Sequence, residues 1–316
     1  AFFLMHLISV QGWLIRAVTR TSRFAERRLL LEALLTVGLL LAVSSTPATA
    51  DSLHLTDSAT SFSLGPHLTL LEDPTASLSL TAVTQALHEG KGTPSTADVP
   101  SFGFTRSAMW GQVEITNNMR NEPVFIANVD DALLNDITFY LVHANGEITE
   151  KHGGASVPMS QRDKPYRTHI FSLPIAPGEK VQLYVRVKTE FALVMPITLM
   201  TPTSFEEASS KQLYVLGMYF GLMGAMIIYN LFIFLTLRDL SYLIYVFFMI
   251  AFAGSRFIFN GLAGEQLWPE NPVINLYAYP LFLSCFSMTS VLFAETFLFT
   301  RHQLKITHYI TIAIVV

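Results

Sequence analysis

Charge is scarce in this sequence. Asp, Glu, Lys and Arg make up 14% of its 316 residues, against roughly a quarter in soluble domains. Hydrophobic residues reach 51%, so a membrane protein is the first class to consider. Cysteine is nearly lacking as well. The single Cys285 lies in an apolar run, which excludes an internal disulfide and a thiolate metal cluster. Basic clusters are missing beyond the first thirty residues and the net charge is −4, so nothing offers the electrostatic footprint of a nucleic-acid binder. Motifs of catalysis are missing too: there is no HExxH, no GxSxG and no phosphate loop. Asp130 and Asp131 are the most acidic pair, but neighbours on an extended chain face opposite ways, so a solvated strand end is expected there. His143, His152 and His169 have no ligand-like spacing. No metal, no cofactor and no catalytic residue is expected in this chain.

What is present falls into bodies made for different solvents. Arg23, Arg27 and Arg28 precede an apolar run over 29–43, and 44–50 reads SSTPATA. That is the three-part order of a secretory signal, so 1–50 reads as an n-region and signal peptide. The run contains Glu32 and is short for a span, which needs roughly 20 apolar residues. An uncleaved anchor is the alternative. Either way, the chain from Asp51 onward is exported, with 51–63 as a linker.

Over 64–203 the pattern has period two. Val181, Leu183, Val185 and Val187 alternate with Gln182, Tyr184, Arg186 and Lys188, and Val113 and Ile115 alternate with Gln112, Glu114 and Thr116. Such alternation puts one face of a strand on a core. Residues 137–142 are continuously apolar, as in a strand covered on both faces. Asn145-Gly146 suits a tight hairpin in which both residues take positive φ, and Pro177-Gly178 suits a type II turn. The expected fold is a β-sandwich, jelly-roll-like, followed by a helical transmembrane bundle. Candidate ligand-binding residues are Trp110, Arg106, Arg167 and Tyr166, because a ring face suits a sugar and a guanidinium fork suits an acid group. Packing in the sandwich core is the alternative for Trp110 and for Phe191.

The stretch 213–237 has twenty-five residues without a charge, enough to cross a bilayer core of about 30 Å. Further spans are read over about 242–262 and 276–299, and a fourth, incomplete one over 306–316, within a membrane region of 212–316. Arg238, Arg301 and Lys305 flank the first and third connections, whereas 260–275 has no Lys or Arg. The positive-inside rule therefore sets the sandwich outside the cytoplasm, in agreement with the export signal. Gly217, Gly221 and Gly224 form a small-residue seam suited to helix packing within the bundle, or to a homodimer. Arg256, Glu295 and Asn230 are the intramembrane polar residues, expected to face protein or water. Arg256 and Glu295 differ in depth by roughly 12 Å at ~1.5 Å per residue, too far for a direct ion pair.

Several phrases together resemble one family, the bacterial seven-transmembrane receptors with diverse intracellular signalling modules. LEDPTASLSL (71–80), FGFTRSAMWGQVEITN (102–117) and HIFSLPIAPGEKVQLYVRV (169–187) are similar to its second type of extracellular domain. GMYFGLMGAMIIYNLFIFLTLRDLSYLIY (217–245) and NGLAGEQLWP (260–269) resemble the start of its seven-helix domain. The resemblance implies a periplasmic jelly roll akin to carbohydrate-binding modules, in a multi-pass protein of the bacterial inner membrane. It also implies helices four to seven and an output module, such as a diguanylate cyclase or histidine kinase, beyond Val316. The expected function is a receptor for a glycan or small acid. The alternative is a membrane-tethered sugar-binding component of a transport or surface-polysaccharide system.

Overall fold

The computed structural model describes residues 52–297. The signal peptide read over 1–50 and the fourth span read from 306 lie outside the described residues. Thirteen strands come first: β1 (Leu53–Leu55), β2 (Ser61–Ser63), β3 (Thr69–Asp73), then helix α1 (Leu80–His88), β4 (Thr93–Pro94), β5 (Ser101–Phe104) and β6 (Ala108–Asn117). They continue with β7 (Val124–Val129), β8 (Asp136–Val142), β9 (Ile148–Gly153), β10 (His169–Pro174), β11 (Lys180–Lys188), β12 (Ala192–Val194) and β13 (Ile197–Met200).

Two sheets face each other. The larger has the order β4-β3-β6-β11-β8-β9, with β1 parallel to the far end of β6, and the smaller has the order β10-β7-β13-β2. Strands β12 and β5 make a separate two-stranded ribbon. Period two explains the core between the sheets: Met109, Val113 and Ile115 of β6, and Val181, Leu183, Val185 and Val187 of β11, point inward and are buried. Phe139 of the larger sheet meets Phe171 of the smaller with ring centroids 4.7 Å apart.

Strand β8, apolar from Ile137 to Val142 but for Thr138, is covered on both faces. Ile137, Phe139 and Leu141 enter the main core, while Tyr140 and Val142 pack on the outer face against a second cluster of Val83, Trp110 and Tyr184. The cover is α1, whose N-cap Ser79 accepts from the Ala82 N–H at 3.3 Å. Turn chemistry follows the sequence with one difference. Gly178 takes φ +80 and the Glu179 N–H donates to the Ala176 carbonyl at 3.0 Å, as a type II turn requires. At Asn145-Gly146 only Gly146 is left-handed, at φ +85. The Asn145 side chain instead accepts from the Glu147 N–H at 2.9 Å. A longer loop that ends in one left-handed glycine replaces the two-residue turn, because the Asn side chain stabilises ordinary φ locally.

Three long helices follow: α2 (Pro202–Leu237), α3 (Leu240–Phe259) and, after the short α4 (Leu262–Gln266), α5 (Val273–Phe297). All three are long and apolar enough to cross a membrane. Helix α2 has 36 residues, capped by Thr201 with Pro202 in its first turn. At ~1.5 Å per residue it is about 54 Å long, far more than a bilayer core of ~30 Å. Its first turns therefore belong to the sandwich, where Thr60 donates to Ser204 at 3.3 Å. It ends where Arg238 turns left-handed at φ 58, and Asp239 caps α3 by accepting from the Ser241 N–H at 2.9 Å. Helices α3 and α5 are joined by Phe248, Phe252, Phe286 and Phe293.

Candidate functional site

One pole of the sandwich is seated on the outer ends of the helices. The chain reaches it at the end of β7, the start of β8, the end of β9, the start of β10 and the end of β11. Arg167, two residues before the buried start of β10, is 4% exposed although it carries a permanent charge. Its guanidinium donates to the Gln212 side chain of α2 and to the Asn260 carbonyl after α3, the latter at 3.1 Å. Asp130, at the end of β7, stands 4.0 Å from the same guanidinium and accepts from Gln212 at 3.5 Å. Arg167 Nε is buried with no acceptor. Four segments distant in sequence thus meet at one side chain.

The backbone closes the same contact. Gly261 has φ +77, and a Cβ there would stand 2.0 Å from the Arg167 carbonyl oxygen and 2.8 Å from Ala132 Cβ. Only glycine satisfies both the left-handed conformation and the close approach. Around this centre, Tyr166 Oη lies 2.6 Å from Ser209 Oγ, and the Tyr166 ring meets Phe205 edge-on at 5.4 Å. The Met159 N–H donates to the Pro269 carbonyl at 2.8 Å, and Ser160 Oγ donates to Glu270 at 2.6 Å. Phe191 meets Tyr279 of α5 edge-on at 5.9 Å.

Buried His169 and half-buried Arg162 and Glu265 lie near Arg167. Burial pushes His169 down to about 3, and the nearby positive Arg162 adds to the shift. The imidazole is therefore neutral at any physiological pH. Burial also raises the Glu265 carboxyl above its ordinary range, against the pull of Arg167 and Arg162. Burial lowers Arg162, against the pull of Glu265.

The four ligand candidates do not converge. Arg167 and Tyr166 are in the seat just described. Trp110 is 1% exposed on the outer face of the larger sheet, beneath α1 and stacked on Tyr140 at 5.8 Å, so neither ring face is free. Arg106 is exposed between β5 and β6. In the helices, no atom comes within 4 Å of a Cβ built at Gly217, Gly221 or Gly224 among the described residues. The glycine pressed between helices is Gly254, where a Cβ would meet the Phe282 ring at 2.3 Å. Asn230 is buried, donates to the Met226 carbonyl at 2.8 Å, and lines a cavity of about 330 Å³ with Asp239, Tyr245 and Phe293. The Arg256 guanidinium lies 4.6 Å from the Phe259 ring centroid, at the outer end of α3. Glu295 is half-buried near the inner end of α5.

A second feature lies on the open part of the larger sheet. Ser52, His67, Thr69, Gln112, Glu114 and Gln182 line a polar recess of about 230 Å³. Gln112 donates to Gln182, Gln182 to Glu114 at 2.9 Å, and Lys180 pairs with Glu114 at 2.7 Å. Sequence reading alone singles out neither this row nor Gln212, Asn260, Gly261 and Glu270. The available signal was the phrase 260–269, which holds two of these four, Asn260 and Gly261.

Two family models match the chain. Residues 65–201 match the one described as 7TMR-DISM extracellular 2, and residues 212–316 match the one described as 7TM diverse intracellular signalling. No curated protein matches it. Among solved structures, one of carbohydrate-binding modules from the β-sandwich superfamily is similar at 8% identity and a TM-score of 0.21, over 45% of this chain and 54% of that one. A GH31 α-xylosidase from Xanthomonas citri is similar at 12% identity and a TM-score of 0.20, over 42% of this chain and 15% of that one. The chain thus spans about half of the first and a small part of the second.

Proposed function

Because the chain belongs to the family of seven-transmembrane receptors with diverse intracellular signalling modules, we propose that its sandwich senses a ligand outside the cytoplasm and passes the event into the helices through Arg167. The observation that supports this reading is the seat itself. A side chain of the sandwich is bonded at once to α2 and to the loop after α3, and a buried, charged contact of this kind is costly to rearrange part-way. Two discrete arrangements are then favoured over a continuum, as a relay needs.

The ligand we assign is polar and carbohydrate-like, and its site is the recess of Gln112, Glu114 and Gln182. Amide and carboxylate groups in a row offer alternating donors and acceptors, which match the hydroxyls of a sugar. The receptor would lie in the bacterial inner membrane with its sandwich in the periplasm, and would drive a cytoplasmic output module. The seam of Gly217, Gly221 and Gly224 has no neighbour within 4 Å among the described residues, which leaves it for further helices of the bundle or for a second copy of the chain.

The test uses the full receptor in nanodiscs and a glycan library. A glycan that binds should alter amide hydrogen exchange over 260–270. Gln182→Ala should abolish binding, whereas Arg167→Ala should keep binding and lose the change in exchange. An exchange response that survives Arg167→Ala would overturn the relay. Glycan binding that survives Gln182→Ala would overturn the site.

A further inference from the structure

We propose that the loop after β5 is a membrane anchor in its own right, with the Phe104 side chain inserted among the lipids of the outer leaflet. Among the described residues before α2, three large apolar side chains are exposed: Val99, Phe104 and Ile148. Phe104 is the one aromatic of the three and the most open, at 84%. A single exposed ring needs no explanation by itself; its place in the fold is what gives it one.

Register fixes where this ring lies. Strand β5 pairs with β12 so that Ser101 opposes Val194 and Phe104 opposes Ala192. From Ser101 to Phe104 the strand therefore advances toward Phe191, the residue before Ala192, whose ring meets Tyr279 of α5. Paired residues on antiparallel strands are about 5 Å apart, so Phe104 ends its strand beside the residue that touches the membrane helix. The chain then turns through exposed Arg106 into Ala108, the start of β6, at the same pole.

The level of that pole relative to the bilayer can be read from α5. Trp268, Tyr277 and Tyr279 stand near its outer end, Tyr277 being 69% exposed. Trp and Tyr collect where hydrocarbon meets headgroups, because each ring has an apolar body and a polar tip. Phe191 touches this belt, and Phe104 is its neighbour across the ribbon. Phenylalanine at that depth faces acyl chains, and an Arg two residues on suits the lipid phosphates. Gly103, with φ +66 and nothing within 4 Å of a built Cβ, lets the tip turn down without a side chain in the way.

Ile148 supplies the internal comparison, since it is also exposed and apolar but lies at the opposite pole. It pairs with Val142, whereas Gly153 at the other end of β9 pairs with Ile137 near the seat. Five residues of strand separate the two levels by roughly 17 Å.

The experiment uses the full receptor in nanodiscs, in a Cys285→Ser background, labelled with an environment-sensitive fluorophore at Phe104→Cys or at Ile148→Cys. At position 104 the emission should shift to the blue, fall strongly with lipids spin-labelled near the headgroup, and barely respond to aqueous iodide. At position 148 the pattern should be reversed. Equal iodide quenching at both positions would overturn the anchor. So would a label at 104 that neither iodide nor the spin-labelled lipids reach, which would mean that protein covers it. Quenching at 104 that is relieved by a glycan from the library would mean a sugar platform, and would also overturn the proposal.

Discussion

The carbonyl oxygen of Arg167 and the α-carbon of Gly261 are so close that a methyl group on Gly261 would stand 2.0 Å from the oxygen. Ninety-four positions apart, they fix the sandwich on the loop after α3 with no room for any other residue.

Gly261→Ala should therefore loosen the seat. The left-handed φ alone costs an L-residue about 1–3 kcal/mol when held in place, and the clash adds to this. Thermal melting of the full receptor in nanodiscs should fall by several degrees, and exchange over 260–270 should rise. An unchanged melt would mean that the loop can leave the sandwich without loss.

Arg167→Lys should behave as a loss and not as a conservative change. The guanidinium serves Gln212 and the Asn260 carbonyl from different nitrogens, a fork that an ammonium cannot reproduce. The buried group is the cation at position 167, and an ammonium there left short of its acceptors costs about 1–3 kcal/mol. Melting of Arg167→Lys close to that of Arg167→Ala would agree with this, whereas a wild-type melt for the Lys variant would show that charge alone holds the seat.

Trp110→Ala should destabilise the sandwich by about 3–5 kcal/mol, as large aromatics in cores do. Its ring fills the space between α1 and the outer face of the larger sheet. Val83→Ala should weaken the same cluster by a smaller amount. Both are read from denaturant midpoints, and a stable Trp110→Ala variant would mean that α1 closes the gap by itself.

Acid should weaken the receptor through His169. Its folded value of about 3 lies below the ordinary 6.5, so between these limits the unfolded chain binds a proton that the folded one refuses. Stability is full above pH 6.5 and is lost as pH falls toward 3, by an amount on the order of a few kcal/mol. Asp131 and Glu265 are both shifted up by burial, so they act in the opposite sense. The difference between wild type and His169→Phe isolates the imidazole. Melting of wild type should drop between pH 6.5 and 4.5, and His169→Phe should drop less. Parallel curves would remove the prediction's basis.

The sandwich was legible because its signal is local. In β11, alternate valines and leucines face the core, and only Tyr184 departs from polarity on the other face, since α1 covers it. That cover was not legible, as nine residues of a short helix give a weak period. The seat was legible only in part. Arg167 and Tyr166 stood out by residue type, but their partners are 45, 93 and 43 residues away, and no pattern within a window reports such distances. The glycine seam shows the converse: spacing on one helix says that close contact is permitted, and Gly254 against Phe282 shows where it is made among the described helices.

Helix α2 runs unbroken from Thr201, its cap at the edge of the sandwich, to Arg238 at its inner end. Mechanically it is a lever whose fulcrum lies at Gln212, beside the Arg167 guanidinium. At ~1.5 Å per residue, the arm above the fulcrum is about 15 Å and the arm below about 39 Å. If Gln212 were held while the Thr201 end moved, a sideways shift there would reach the far end more than doubled and reversed in direction.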